Sequence, residues 1–230
     1  MSNVPNSVML FAAGFGTRMG ELTKDRPKPL INVAGKPLID HALDLVEKSG
    51  ERNTVVNVHY LADQIEAHLS GRGITLSFET PDILDTGGGL RHAMPFLGDA
   101  PVFTMNTDAV WSGPNPLLHL AKKWRPELMD ALLLCIPRAN AWGHKGQGDF
   151  ISDTHGKGAR GPGSVYSGLQ IVKTNQLSQI EQTAFSLNLL WDRMLQDNSL
   201  YIDEYPGSWC DVGSAEGIQE AETMLAHRNV

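Results

Sequence analysis

Short, almost unbroken apolar runs recur along the chain, and between them apolar residues thin out to every third or fourth position. The runs at 7–13 (SVMLFAA), 53–59 (NTVVNVH), 74–78 (ITLSF), 101–107 (PVFTMNT), 130–136 (DALLLCI) and 164–172 (SVYSGLQIV) have the length and composition of buried strands. The thinner stretches predict helices over 37–50, 61–69, 115–124, 185–195 and 214–227, and a short one near 89–97. In the first of these Pro37 suits the opening turn, Leu38, Ala42, Leu45 and Val46 share a stripe, and Gly50 ends it. In the last, Ser214 is placed to cap the helix and Glu216 and Glu220 stand early in it. Strands alternating with helices predict an α/β fold with a parallel sheet covered on both faces. Residues 143–163 contain seven glycines and one proline. The strand-like GDFIS inside them favours a flexible loop or hairpin over an interdomain linker.

With 230 residues the chain is long enough to bury a substantial core. No apolar stretch reaches the 18 or so residues of a membrane span, so no membrane association is expected. The opening MSNVPNS lacks a basic region followed by a long apolar one, so no secretion signal is expected either. Cys135 and Cys210 stand in no metal-ligand spacing, which fits a cytoplasmic, reducing setting. A formal net charge of −7 argues against a nucleic-acid partner. Against that charge, Arg18, Lys24, Arg26, Lys28 and Lys36 cluster around only Glu21 and Asp25, as a solvated loop or an anion site would.

That basic segment follows the first strand and reads AAGFGTRMGELTKDRPKPL. A P-loop is disfavoured because no Gly-Lys-Ser/Thr follows the glycines. A dinucleotide-binding turn needs G-x-G-x-x-G, and here the third position is Met19, with no acidic residue ending the second strand. What remains suits a nucleoside triphosphate. Gly14 and Gly16 let backbone N–H groups approach phosphate oxygens, Arg18 offers a planar fork, and Lys28 is a point charge stiffened between Pro27 and Pro29. Asp108 follows a strand at the carboxyl edge of a parallel sheet, where ligands bind in open α/β folds, although post-strand turns also use aspartate.

The stretch AAGFGTRMGELTKDRPKPLINVAGKPLI resembles the opening of the sugar-1-phosphate nucleotidyltransferases, with their G-x-G-x-R followed by P-K-P. The resemblance continues through DTGGGLRHA (85–93), NTDAVWSG (106–113), GDF (148–150) and WCDVGSAEGIQEAE (209–222), so it spans nearly the whole chain. It implies one domain over 1–230, a Rossmann-like three-layer sandwich with a mainly parallel, mixed sheet, and no C-terminal β-helix domain. It also implies an enzyme that joins a nucleoside triphosphate to a sugar 1-phosphate with release of pyrophosphate. Ala12, Ala13, Gly14, Gly16, Thr17, Arg18 and Lys28 would bind the triphosphate, with Arg18 on the leaving phosphates and Lys28 nearer the reacting ones. Asp108 and Asp211 would hold Mg2+ and, with Arg18 and Lys28, make up the catalytic set; the alternative for Asp211 is to cap the final helix, a role that Ser214 already fills. The family often has glycine where Thr107 stands, which makes the backbone there less free.

The triple glycine of DTGGG is expected to open a tight turn, or else a helix, with Thr86, Gly87 and Gly88 facing the base. Asp149, Ser167 and Gly168 are candidates for the sugar, with turn chemistry as their alternative. Within the family, DTGGG, the short chain and GDF most resemble the branch that couples UTP to N-acetylmuramate 1-phosphate in peptidoglycan sugar recycling. Members that use mannose 1-phosphate with GTP, or glucose 1-phosphate with UTP or dTTP, stay open, as does a sensor subunit on the same fold. For a muramate substrate, His144 or Lys145 would answer the lactyl carboxylate. Oligomeric state is not legible, and a monomer is compatible with everything above.

Overall fold

The computed structural model describes residues 4–50 and 52–227. The two ends of the expected 1–230 domain, including the start of the segment read as lacking a secretion signal, lie outside the described residues.

Seven strands form the central sheet: β1 (Ser7–Phe11), β4 (Asn53–Val58), β5 (Thr75–Phe78), β6 (Val102–Asn106), β8 (Ala131–Ile136), β12 (Val165–Val172) and β13 (Leu200–Glu204). Their order across the sheet is β13-β8-β12-β6-β1-β4-β5. Every neighbouring pair is parallel except those of β12, which runs antiparallel to both β6 and β8. The sheet is therefore mainly parallel and mixed, as expected.

Strand periodicity divides the core into two layers. Val8 and Leu10 of β1, Val56 and Val58 of β4, and Leu132 and Leu134 of β8 face one way. They meet Ile39, Ala42 and Leu43 of α1 (Leu38–Glu47), Ile65 and Leu69 of α2 (Ala62–Leu69), and Leu117 and Leu120 of α4 (Pro116–Lys123). Met9, Val55, Leu133 and Cys135 face the other way, against Leu90, Ala93 and Leu97 of α3 (Asp85–Leu97) and Leu190, Trp191 and Met194 of α5 (Asn188–Gln196). Because inner strands such as β1, β4 and β8 are apolar on both faces, their runs look unbroken in sequence.

A third, smaller core supports the site. There β14 (Ser208–Asp211) lies between β7 (Ala109–Ser112) and β9 (Ala141–Trp142), and α6 (Ala215–Ala226) packs Ala221 and Met224 against Val110, Cys210 and Val212. Ser214 caps α6 as expected, its Oγ accepting from the Gly217 N–H at 3.2 Å. The remaining strands form two hairpins: β2 (Asn32–Val33) with β3 (Lys36–Pro37), and β10 (Phe150–Ser152) with β11 (Gly158–Arg160). The second makes the glycine-rich 143–163 stretch a hairpin rather than a linker.

Several boundaries differ from the sequence reading. Pro37 belongs to β3 and precedes α1 instead of opening it. Ala12 and Ala13 leave β1 for the loop, and α3 begins at Asp85, four residues before the expected start, with its glycines inside the helix. The sequence reading assigned no strand to β7, β13 or β14, whose apolar runs are too short and too mixed to stand out.

Candidate active site

From β1 the chain moves outward to β4 and β5, then crosses back to place β6 on the opposite side of β1. Ligands bind in the crevice that such a reversal opens at the carboxyl ends of the strands. A cavity of about 310 Å3 lies there, lined by the loop after β1 (Ala12, Ala13, Gly14, Gly16, Thr17, Arg18), by Lys28, and by Asn106, Thr107 and Asp108 after β6. Asn57, Glu79, Asp85, Thr86 and Gly213 complete much of its wall.

The two loop glycines differ in their surroundings. Gly14 has open space where a Cβ would project, which leaves room for a ligand. Gly16 has φ +66, and a Cβ there would come within 2.9 Å of Lys28 Cβ and 3.0 Å of Thr23 Cγ2. Its bare backbone is what lets Lys28 close on the loop. Thr23 ties the turn by donating its hydroxyl to the Gly16 carbonyl at 3.0 Å. Lys28 opens a short 3-10 turn in which the Ile31 N–H donates to the Lys28 carbonyl at 3.0 Å, and Pro27 before it is extended. The lysine is buried to 9% exposure, so its ammonium is aimed rather than free.

Lys28 Nζ donates to Asp108 Oδ2 at 2.6 Å. Thr107, where the family often has glycine, uses its hydroxyl to donate to the Phe11 carbonyl at 2.7 Å and so fixes the end of β6 to the end of β1. Asp211 ends β14, whose partner β7 starts beside Asp108, with Asp211 opposite Ala109. The Val212 N–H donates to the Asp108 carbonyl at 2.8 Å, which brings both aspartates to one end of the sheet. A Cβ on Gly213 would lie 3.0 Å from Arg18 Nη1 and 3.2 Å from Asp211 Oδ2, so guanidinium and carboxylate share one bare backbone position. Burial pushes the Asp211 carboxyl above the usual range; the Asp108 charge adds to that, and Lys28, Arg18 and His144 oppose it.

This donor set suits a hard divalent cation. Magnesium takes one or two protein carboxylates and fills its remaining positions with water and substrate oxygens. Two carboxylates that repel each other in a partly buried cleft gain from such an ion. Among the described residues no cluster of three or more His, Cys, Asp or Glu that could hold a metal ion is present.

Other expected residues lie elsewhere. Thr86 lines the cavity, but its hydroxyl accepts from the Leu187 N–H at 3.0 Å. Gly87 and Gly88 do not form a tight turn: they sit buried in the first turns of α3, and both N–H groups donate to the Phe185 carbonyl, at 2.8 and 3.0 Å. Side chains there would collide with Phe185 and with the Thr183 carbonyl, so these glycines admit the 183–185 segment. Asp149 Oδ2 accepts from the Tyr166 N–H at 2.9 Å, and Ser167 donates to the Leu134 carbonyl at 2.6 Å. Gly168, at φ +84, backs directly onto Asn106. None of these three is in the cavity wall. Lys145 pairs with Glu216 at 3.8 Å, both exposed. The sequence reading missed Asn57, Glu79 and Asn106, whose only signal is their place at or just beyond strand ends.

Residues 8–146 match the model of the MobA-like NTP transferase domain. The chain belongs to this family. It is a nucleotidyltransferase, of the kind that transfers nucleotides to sugar 1-phosphates. The N-acetylmuramate α-1-phosphate uridylyltransferase of Caulobacter vibrioides is 38% identical over 98% of this chain and 99% of its own length. The enzyme of the same name from Neisseria meningitidis is 30% identical over 94% of this chain and 96% of its own. Among solved structures, HddC from Yersinia pseudotuberculosis complexed with GMP-PN superposes with a TM-score of 0.76 at 19% identity, covering 95% of this nucleotidyltransferase and 99% of that chain. A putative glucose-1-phosphate thymidylyltransferase from Bacillus anthracis gives a TM-score of 0.79 at 15% identity, covering 97% and 96%. At these identities the structures establish the shared fold. Among the described residues no helix is long and apolar enough to cross a membrane.

Proposed function

We propose that this nucleotidyltransferase couples UTP to N-acetylmuramate 1-phosphate, releasing pyrophosphate and UDP-N-acetylmuramate, and that it acts in the cytoplasm in recycling of peptidoglycan sugars. The carrying observation is that Asp108 lines the cleft with the glycine loop, Arg18 and Lys28, while Asp211 lies just behind the cavity-lining Gly213, within reach of Asp108 and Arg18. Near full-length similarity to two enzymes of that name supports the choice of sugar and base.

In the reaction a phosphate oxygen of the sugar 1-phosphate attacks the α-phosphorus, and the bond to the pyrophosphate oxygen breaks. The attacking oxygen is already ionised near neutral pH, so no general base is required. The work left to the protein is to bring two polyanions together and to spread their charge. Ala12 to Arg18 receive the triphosphate, with Arg18 directed to the leaving phosphates. Lys28 exchanges its contact with Asp108 for the reacting phosphate. Asp108 and Asp211 are the residues that would hold Mg2+, which when bound neutralises charge on the phosphate oxygens.

The Asp85–Thr86 end of the cavity is assigned to the base. The sugar is assigned to the side of Asn106, with Gly168, Ser167 and Asp149 behind it. His144, close enough to Asp211 to oppose the rise of its carboxyl, is taken as the candidate for the lactyl carboxylate.

The test is a matrix of nucleoside triphosphates against sugar 1-phosphates, read as pyrophosphate release, with EDTA as control. The highest kcat/KM is expected for UTP with N-acetylmuramate 1-phosphate, abolished by EDTA. A preference for GTP with mannose 1-phosphate would overturn the substrate assignment, and no turnover in any combination would favour a sensor.

A further inference from the structure

Glu79 is a carboxylate with 0% exposure, and neither the phosphate loop nor the aspartate pair accounts for it. It stands just beyond β5, and its neighbour Asn57, also buried, stands near the end of β4. Asn57 Oδ1 accepts from the Ala12 N–H at 2.8 Å, where β1 turns into the glycine loop. Asn57 Nδ2 donates to Glu79 Oε1 at 2.7 Å. Glu79 Oε2 accepts from the Leu84 N–H at 2.7 Å, immediately before α3 and the cavity-lining Asp85 and Thr86. Four groups thus form one chain of hydrogen bonds between the two ends of the nucleotide cavity.

Each group in this chain has a fixed sense. Backbone N–H groups can only donate, so Asn57 must turn its oxygen to Ala12 and its NH2 to Glu79. Glu79 must therefore accept on both oxygens, which a carboxylate does and an amide cannot. The third glycine of DTGGG has its explanation here: a Cβ on Gly89 would collide with Glu79 Oε1 and lie 3.0 Å from Asn57 Nδ2. Glu79 Oε2 thus satisfies the Leu84 N–H at the start of α3, where Leu84 offers no side-chain cap and Asp85 Oδ1 accepts from the Thr86 N–H.

We infer that Asn57 and Glu79 are positioning residues for nucleotide binding: their hydrogen-bond chain fixes the glycine loop and the start of α3 at the spacing the nucleotide requires. This builds on the proposed function only in taking a nucleoside triphosphate as the ligand of the cavity.

The fixed polarity permits a reversal test. In Glu79→Gln one amide NH2 faces another donor, and in Asn57→Asp two carboxylates face each other. In the double variant the carboxylate introduced at position 57 accepts from Ala12 and from the amide introduced at position 79. The oxygen of that amide accepts from Leu84, so all three bonds return with the central one reversed. Titration of wild type with UTP and with GTP comes first and tests the base assignment separately. Each variant is then compared with wild type for whichever nucleotide binds more tightly, alongside the KM for the sugar 1-phosphate and the melting midpoint.

Each single variant is expected to weaken nucleotide binding about tenfold or more, the loss of roughly one buried hydrogen bond to a charged group. The sugar-phosphate KM should stay within about twofold, and the double variant should recover to within about threefold of wild type. If a single variant fails to fold, the double variant decides alone. Wild-type nucleotide affinity in Glu79→Gln, or a folded double variant that binds no better than the worse single one, would overturn the inference. So would failure of the double variant to fold, which would leave the pair a purely structural role.

Discussion

Asp108→Asn keeps the shape of the side chain and removes its charge, which isolates what the carboxylate does. Its backbone carbonyl still receives Val212, so the fold should persist. The loss of one ligand to a divalent ion removes several kcal/mol of charge stabilisation in the transition state. The expected outcome is a fall in kcat of at least about a hundredfold, with an unchanged circular dichroism spectrum. Near-normal pyrophosphate release would show that any metal is held elsewhere. At this scale the sequence was informative where residues come in spaced motifs: the glycines, Arg18 and Lys28 sit within fifteen residues of one another. Asn57 and Glu79 were not legible, because a lone polar residue at a strand end has no pattern. Their meaning comes only from the register that sets β1, β4 and β5 side by side.

The helices α3 and α4 start in different ways, and this separates stability from function. Asn115 caps α4 with its own side chain, Oδ1 accepting from Leu117 N and Leu118 N at 3.0 and 3.1 Å. Its Nδ2 also donates to the Leu45 carbonyl of α1 at 2.7 Å. Asn115→Ala removes the cap and the bond between helices, and is expected to cost about 1–2 kcal/mol in urea unfolding. Because α4 contributes nothing to the cavity wall, kcat and KM should be unchanged; a loss of activity in step with stability would show coupling between α4 and the site. Asn-Pro before an apolar stripe made this helix readable from the sequence. By contrast, α3 has its glycines where a helix is least expected, and their reason lies in Phe185, Glu79 and other residues distant in the chain. The edge strand β13 escaped notice because its five residues hold only three apolar ones, and a neighbouring strand supplies the rest of its pairing.

For the molecule as a whole, alternating strands and helices were enough to foresee the layers, while the strand order, and with it the crevice between β1 and β6, depends on crossings that no local pattern encodes. The crevice gathers charge at a cost to the fold, and Asp211 makes that cost measurable. Burial first, and the Asp108 charge second, raise its carboxyl above the unfolded value. The folded protein therefore holds this proton more tightly than the unfolded chain does. As pH rises from the unfolded value near 3.8 through the elevated folded one, stability falls, and above that window the whole penalty is present. Asp211→Asn removes the penalty, so in EDTA the variant is expected to melt above wild type at pH 7. Each 1 kcal/mol relieved moves the midpoint by about 2–4 °C for a chain of this size. The advantage should vanish at a pH below about 3.8, where wild-type Asp211 is protonated in both states. Added Mg2+ should reverse the order at pH 7 by stabilising wild type more than the variant, because only wild type offers both carboxylates. A variant that is more stable without metal, less stabilised by it and inactive would mark Asp211 as held in place for chemistry against the preference of the fold. A melting midpoint at or below wild type in EDTA at pH 7 would show instead that Arg18, Lys28 and His144 already compensate its burial.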